Sequence, residues 1–138
     1  MNDKNVAGVQ WSFWLIGAVA LIWNVMGGIN FLSQMSADAL AAYPEVARAL
    51  VASRPTWATG AFAIAVFGGV LGCLLLLIKK SVAYYLFIVS LLGVIVTNIH
   101  TFGVTASTEI WVGSLMSLVV AAFLIWYSKH AESKGWIS

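Results

Sequence analysis

Four long stretches of the chain carry no charged side chain. They run over residues 5–37, 55–78, 81–108 and 110–128. A helix needs roughly 20 mostly apolar residues to cross a hydrocarbon core about 30 Å thick. The strands of a membrane barrel would be about 10 residues long with alternating polarity, and these stretches do not alternate. The pattern therefore predicts four membrane-spanning helices.

The composition excludes several soluble classes of protein. Only 9% of the 138 residues are charged and 62% are hydrophobic, whereas soluble domains average about 25% charged residues. A soluble globule, a disordered segment and a nucleic-acid-binding protein all need polar surface that this chain lacks. We therefore expect the lipid bilayer to surround the protein and expect no nucleic acid partner.

The predicted fold is an all-α membrane protein, an antiparallel bundle of four transmembrane helices. One membrane domain covers residues 1–138, with spans over residues 11–33, 55–78, 82–102 and 108–128. The first apolar stretch is too long for a signal-peptide core, and no Ala-x-Ala-like site follows it. We therefore expect the first span to remain in the mature protein.

The first connection, residues 34–54, is the longest between spans and has its own pattern. Pro44 is typical of a helix start and predicts a short helix to Ala52. Ser36 is a candidate cap for a second short turn. The sequence predicts an amphipathic segment that lies on the outer membrane surface like a lid. Its shared face comprises Val46, Ala49, Leu50 and Ser53.

The basic residues predict the orientation. Two arginines, Arg48 and Arg54, belong to the first connection, and the lysines fall on the opposite side. These lysines are Lys4, Lys79, Lys80, Lys129 and Lys134. Because cytoplasmic segments carry an excess of Lys and Arg, we expect both termini in the cytoplasm. The expected location is the cell inner (plasma) membrane.

Polar side chains within the spans are candidates for a ligand site. Most of them fall in the outer half of the spans, and the candidates are Asn24, Asn30, Gln34, Thr97, Asn98 and His100, with Glu109 at the rim. Polar groups in lipid are costly and normally face the bundle interior. The sequence predicts a polar cavity in the outer half, covered by the first connection. Interhelical hydrogen bonding is the alternative interpretation of the same residues.

One pair of ionisable residues, His100 and Glu109, and one arginine, Arg54, leave alternatives open. His100 and Glu109 flank the third connection as a proton-sensing pair, or Glu109 only stabilises the start of its helix. The Arg54 guanidinium suits a carboxylate or phosphate. It equally suits lipid headgroups or pairing with Asp38 or Glu45.

Small residues predict close helix packing, which is the main adhesive between helices in lipid. The glycines expected at helix contacts are Gly28, Gly68, Gly69, Gly72 and Gly113. The single cysteine, Cys73, is expected to be a buried packing residue. No set of residues satisfies the requirements of a catalytic site, a metal site or a cofactor site. We expect a protein that is not an enzyme and has no metal and no cofactor.

Three motifs carry a resemblance to known proteins: WNVMGGINF at 23–31, RPTW at 54–57 and FGGVLG at 67–72. With them the chain resembles a group of small bacterial inner-membrane proteins with four spans, some of which are labelled sugar transporters. In size and number of spans it is also similar to the DoxX-like proteins. Small multidrug exporters have a glutamate in their first span where this chain has Asn24, which disfavours proton-coupled export.

The sequence thus leads to two hypotheses about function. The first is a protein that binds or transports a small neutral solute, because no embedded carboxylate or lysine is present to drive ion coupling. The alternative is a non-catalytic accessory or assembly subunit of a larger membrane complex. A homo-oligomer or a partner is expected in the first case too, because four helices seldom enclose a transport path alone.

Overall fold

The computed structural model describes residues 11–105 and 107–138, and this part consists of helices without strands. The helices are α1 (Trp11–Met35), α2 (Ala37–Leu40), α3 (Glu45–Ser53), α4 (Thr56–Leu77), α5 (Ala83–Val104) and α6 (Thr108–Ser133). Four of them, α1, α4, α5 and α6, are long and apolar enough to span a membrane. The predicted all-α, four-span bundle is confirmed. Lys4 and the other residues before Trp11 lie outside the described part.

Three helices continue beyond the predicted span limits. α1 ends at Met35 rather than Ser33, α5 ends at Val104 rather than Phe102, and α6 ends at Ser133 rather than Ser128. Charged and polar side chains mark where the apolar segment ends, but they do not break a helix. The helix ends instead where the backbone changes conformation, which hydropathy does not report.

The four long helices pack in the spatial order α1, α4, α5, α6. α4 contacts both α1 and α5, and α5 contacts α6. The turn between Leu77 and Ala83 makes α4 and α5 an antiparallel hairpin. We call the end of the bundle with this turn the lower end, and the end with α2 and α3 the upper end. α1 and α6 are the least buried of the four and form the two flanks.

At Gly93 on α5 the backbones of two helices lie close together. A Cβ atom there would lie 2.6 Å from the Ala61 carbonyl oxygen and 2.8 Å from the Ala65 nitrogen. The Ser90 hydroxyl donates a hydrogen bond of 2.6 Å to the Ala65 carbonyl at the same contact. α4 and α5 therefore meet backbone to backbone, and only glycine allows this approach.

The glycines that the sequence assigned to packing divide into two groups. Gly28, Gly68, Gly69 and Gly72 each lie against a neighbouring helix. A Cβ atom at Gly72, for example, would lie 2.6 Å from the Phe87 ring. Gly113 differs, because a Cβ atom there would meet no heavy atom of the described residues within 4 Å. It borders the cavity described below.

An aromatic cluster closes the lower end. Phe13 is fully buried and stacks on Tyr127 at a centroid distance of 6.4 Å. Residues 136–138 fold back onto the α4–α5 turn, where Ser138 exchanges backbone hydrogen bonds of 3.0 and 3.1 Å with Ser81 and Lys79. Ile137 is thereby buried in the same cluster. The lower end is thus packed shut.

This fold-back depends on the residue that ends α6. Gly135 adopts a left-handed conformation with φ of 77°. The Trp136 N–H donates to the Ala131 carbonyl over 2.9 Å, and the Gly135 N–H donates to Glu132 over 3.0 Å. These bonds form a Schellman motif, in which glycine avoids the steric penalty of a side chain.

We expect Gly135→Ala to lower the free energy of unfolding by about 1 kcal/mol, because alanine is strained at positive φ. Gly103→Ala is the matched control, since Gly103 lies in α5 with open space around it and no positive φ. Thermal unfolding in detergent measures both. Equal melting temperatures for the two variants would contradict the left-handed conformation of Gly135 at the end of α6.

Candidate ligand cavity

A cavity of about 530 Å³ lies between the four long helices. All four helices line it, and α3 covers its upper end. Its volume falls within the range of roughly 300–1,000 Å³ found for small-molecule sites. The aromatic cluster around Phe13 packs the lower end of the bundle below it.

The structure brings together most of the predicted candidates. Asn24, Asn30, Gln34, Thr97 and Asn98 all line the cavity. His100 and Glu109 are not among its lining residues. His100 is buried with its ring edge-on to Trp57 at 6.2 Å, and neither ring nitrogen has a hydrogen-bond partner among the described residues. Glu109 is exposed at the start of α6.

The hypothetical pair of His100 and Glu109 is not formed. Within 11–105 and 107–138, no salt bridge or hydrogen bond joins the two side chains. Their separation follows from the helix ends, since α5 continues beyond His100 to Val104 and buries the imidazole. No group of three or more His, Cys, Asp or Glu residues in the described part is placed to hold a metal ion.

The upper end of the cavity is closed by the connection between α1 and α4. The Tyr43 hydroxyl donates a short hydrogen bond to the Asn30 amide oxygen of α1. Arg48 donates to the carbonyls of Ala41 and Tyr43 at 3.2 and 2.9 Å, which holds the turn before α3. The predicted cap is present, with Ser36 accepting a hydrogen bond from the Ala39 N–H. The connection is thus tied down over the bundle.

The face that α3 turns inward differs from the predicted one. Ala47, Leu50 and Val51 line the cavity, whereas Val46 and Ala49 are exposed. Of the predicted face only Leu50 is buried. The short helix contacts α5, and the Arg54 side chain at its end reaches back to Gln34 of α1.

Among the residues that the structure describes, Arg54 is the one charged residue that lines the cavity. It is half-buried where α3 ends, and its Nη1 donates a hydrogen bond of 2.6 Å to Gln34 Oε1. Its guanidinium carbon lies 5.0 Å from the centre of the Phe62 ring. Its Nε is buried without a hydrogen-bond partner among the described residues. Burial lowers the pKa of this guanidinium, because the charged form loses hydration.

Four hydroxyl groups of the lining, on Ser90, Thr97, Thr101 and Ser117, have already donated their hydrogens to backbone carbonyls. Thr97 and Thr101 donate to carbonyls of their own helix at 2.8 and 3.0 Å. Ser117 does the same at 3.1 Å, and Ser90 donates across to α4. These groups can still accept hydrogen bonds from a ligand. The remaining lining is mainly apolar, with Val66, Phe87, Val94, Val120, Ala121 and Leu124.

An apolar cleft of about 320 Å³ separates α1 from α6 beside the cavity. Its walls are formed by Leu15, Ile16, Val19, Ala20 and Phe123. Trp23, Val120 and Leu124 line both the cleft and the cavity, so the two are adjacent. The cleft arises because α1 and α6 make few contacts above the aromatic cluster. The flank of the bundle is therefore the side on which the cavity approaches lipid.

Some lining residues were not candidates from the sequence. Tyr43 and Phe62 line the cavity, and Trp23, placed near mid-membrane, lies at its border with the cleft. Arg54 was one of two arginines with several open interpretations. Its position just before Pro55 indicates that it could line the cavity, because a side chain at the start of a span lies beside the helix bundle.

No known protein family, curated protein or solved structure matches the chain. The class of the protein therefore follows from its fold: it is a multipass membrane protein built as a four-helix bundle.

Proposed function

We propose that this protein binds a small solute in the cavity between its four helices, as a binding protein or as part of a transport system. The observation that carries the proposal is the 530 Å³ cavity, in which side chains from α1, α5 and the first connection place amide, hydroxyl and guanidinium groups. Bundle interiors are common ligand sites.

Interhelical hydrogen bonding explains only part of the polar lining. Asn98 donates to the Ser114 carbonyl of α6 at 3.1 Å, and this bond does join two helices. Thr97, Thr101 and Ser117 instead bond to carbonyls of their own helices. Such bonds contribute nothing to the association of helices. Interhelical hydrogen bonding therefore does not account for these three hydroxyl groups, and each can still accept a hydrogen bond from a ligand.

The proposed location is the inner (plasma) membrane with the lower end in the cytoplasm. Lys79, Lys80, Lys129 and Lys134 all belong to the lower end, which supports this orientation. In a Cys73→Ser background, cysteines placed at Ala52 and Ser133, both exposed, report the two ends. A membrane-impermeant thiol reagent on intact cells should label the first and not the second. The opposite labelling pattern would reverse the proposed orientation.

Thermal unfolding in detergent tests solute binding with a panel of sugars, amides, carboxylates and amphiphiles. A ligand at 100 times its Kd stabilises the folded protein by about 2.7 kcal/mol, which is a clear shift in melting temperature. We expect at least one class to shift the wild type and to lose its effect in Asn24→Leu or Thr97→Val. If nothing shifts the wild type while both variants keep full stability, the cavity does not bind solute.

A further inference from the structure

The Arg54 guanidinium is a partly buried cation without an acidic partner. Among the described residues the one salt bridge joins Lys129 and Glu132, at the far end of the bundle. Arginine remains protonated at neutral pH even when burial disfavours its charge. Gln34 accepts one hydrogen bond, but the buried Nε has no acceptor. An anion beside Arg54 would supply both the missing acceptor and the missing charge.

Two further free donor groups lie at the same end of the cavity. The Asn30 oxygen is occupied by Tyr43 and the Gln34 oxygen by Arg54, so the NH₂ group of each amide remains to donate. Deeper down, the hydroxyl hydrogens of Ser90, Thr97 and Ser117 are already used, and Ser114 and Asn98, which also line the cavity there, each keep a hydrogen to donate. The charged donor and these two free amide groups of Asn30 and Gln34 thus lie at the Arg54 end, where a negatively charged group would be held.

The lining becomes apolar at the lower end of the cavity, where Phe87 lies below Ser90 on α5, and Val120, Ala121 and Leu124 lie below Ser117 on α6. The whole lining of α6, from Ile110 to Leu124, is about 21 Å long at 1.5 Å per residue, and it includes Ser114 and Ser117 as well as apolar residues. Near its lower part the cavity adjoins the α1–α6 cleft, which has only apolar walls. A sugar or another small polar solute would leave this apolar lower part unfilled. A hydrocarbon chain matches it.

We propose that the cavity binds an amphiphile with a carboxylate or phosphate head at Arg54 and a hydrocarbon tail directed between α1 and α6. This inference rests on the proposed function and changes the expected ligand from neutral to anionic. The sequence favoured neutral ligands because no carboxylate or lysine is embedded in the membrane core. Arg54 lies just outside a span, and the fold turns it inward onto Gln34. The lateral cleft gives the tail direct access from the bilayer.

The test measures binding to the purified protein in nanodiscs of zwitterionic lipid at pH 8, where the carboxylic acid is ionised. Four probes are compared: decanoate, the neutral decanamide of equal length, and two short anions, butyrate and inorganic phosphate. The variant is Arg54→Gln. The matched control is Arg48→Gln, because Arg48 bonds only to carbonyls of the connection and does not line the cavity.

We expect decanoate to bind the wild type and Arg48→Gln alike, and to bind Arg54→Gln at least about tenfold more weakly. Decanamide should bind the wild type about as weakly as decanoate binds Arg54→Gln.

If decanoate and decanamide bind equally, and Arg54→Gln changes neither, the proposal of an anionic head is overturned while binding in the cavity stands. Butyrate or phosphate binding as tightly as decanoate would replace the amphiphile by a free anion. Binding of a sugar but not of decanoate would overturn this inference alone, and binding of no probe or solute would overturn the proposed function as well.

Discussion

Gly113→Leu is expected to weaken ligand binding by at least about tenfold while the protein becomes slightly more stable. Gly113 lies on α6 at the wall of the cavity, and a side chain there would project into open space. The leucine side chain would therefore occupy the volume that the ligand needs. The helix itself gains, because glycine in a helix costs about 0.5–1 kcal/mol relative to alanine. Thermal unfolding with and without ligand measures both effects.

Gly103→Leu is the control for this variant. Gly103 has open space around it on α5 but does not line the cavity. It should therefore give the same small gain in stability and leave binding unchanged. Unaltered binding in Gly113→Leu would show that the ligand site is elsewhere.

Gly93→Leu is expected to lower the stability of the fold by about 3 kcal/mol or more, at the upper end of the usual cost of overpacking. The new Cβ would lie within 3 Å of the backbone atoms of Ala61 and Ala65. Backbone cannot move aside as a flexible side chain does, so α4 and α5 would have to separate. Unfolding in a denaturing detergent series measures the change.

Gly60→Leu provides the comparison on α4. A Cβ atom at Gly60 meets nothing within 4 Å, and the residue is exposed on the same helix pair. We expect its stability to stay within about 0.5 kcal/mol of the wild type, as for most exposed substitutions. If Gly93→Leu were tolerated equally well, α4 and α5 would not be in backbone contact.

The number of spans and their positions in the sequence could be predicted, because the placement of the charged residues and the length of the apolar stretches decide both. A helix of about 20 apolar residues has one stable environment, so the four stretches without charge define four helices. The uniformly apolar composition of these stretches also limits the prediction of how the helices pack. Gly93 and Gly113 have similar neighbours in sequence, yet one lies at a backbone contact and the other borders the cavity. Whether a glycine lies at a helix contact or at the cavity depends on how its helix is rotated about its axis. An almost uniformly apolar sequence does not encode this rotation.

The residues of the candidate site could likewise be predicted only in part. Polar residues in spans pointed to Asn24, Asn30 and Thr97, because the energetic cost of polar groups in lipid directs them inward. His100 also points inward but is buried beside Trp57, away from the cavity lining. The role proposed for Arg54 could not be read from its charge. It depends on where α3 ends, and only the folded connection brings the guanidinium over Gln34.

Tryptophan fluorescence tests most directly whether an amphiphile enters the cavity. Trp23 lines both the cavity and the α1–α6 cleft, whereas Trp57 is exposed and lines neither. Two variants, each retaining one of these tryptophans with the others changed to phenylalanine, are titrated with decanoate carrying bromine near its methyl end, a contact quencher. We predict that quenching of Trp23 saturates and disappears when Gly113→Leu is added, while quenching of Trp57 rises without saturation. Identical, unsaturated quenching of both tryptophans would contradict binding within the bundle.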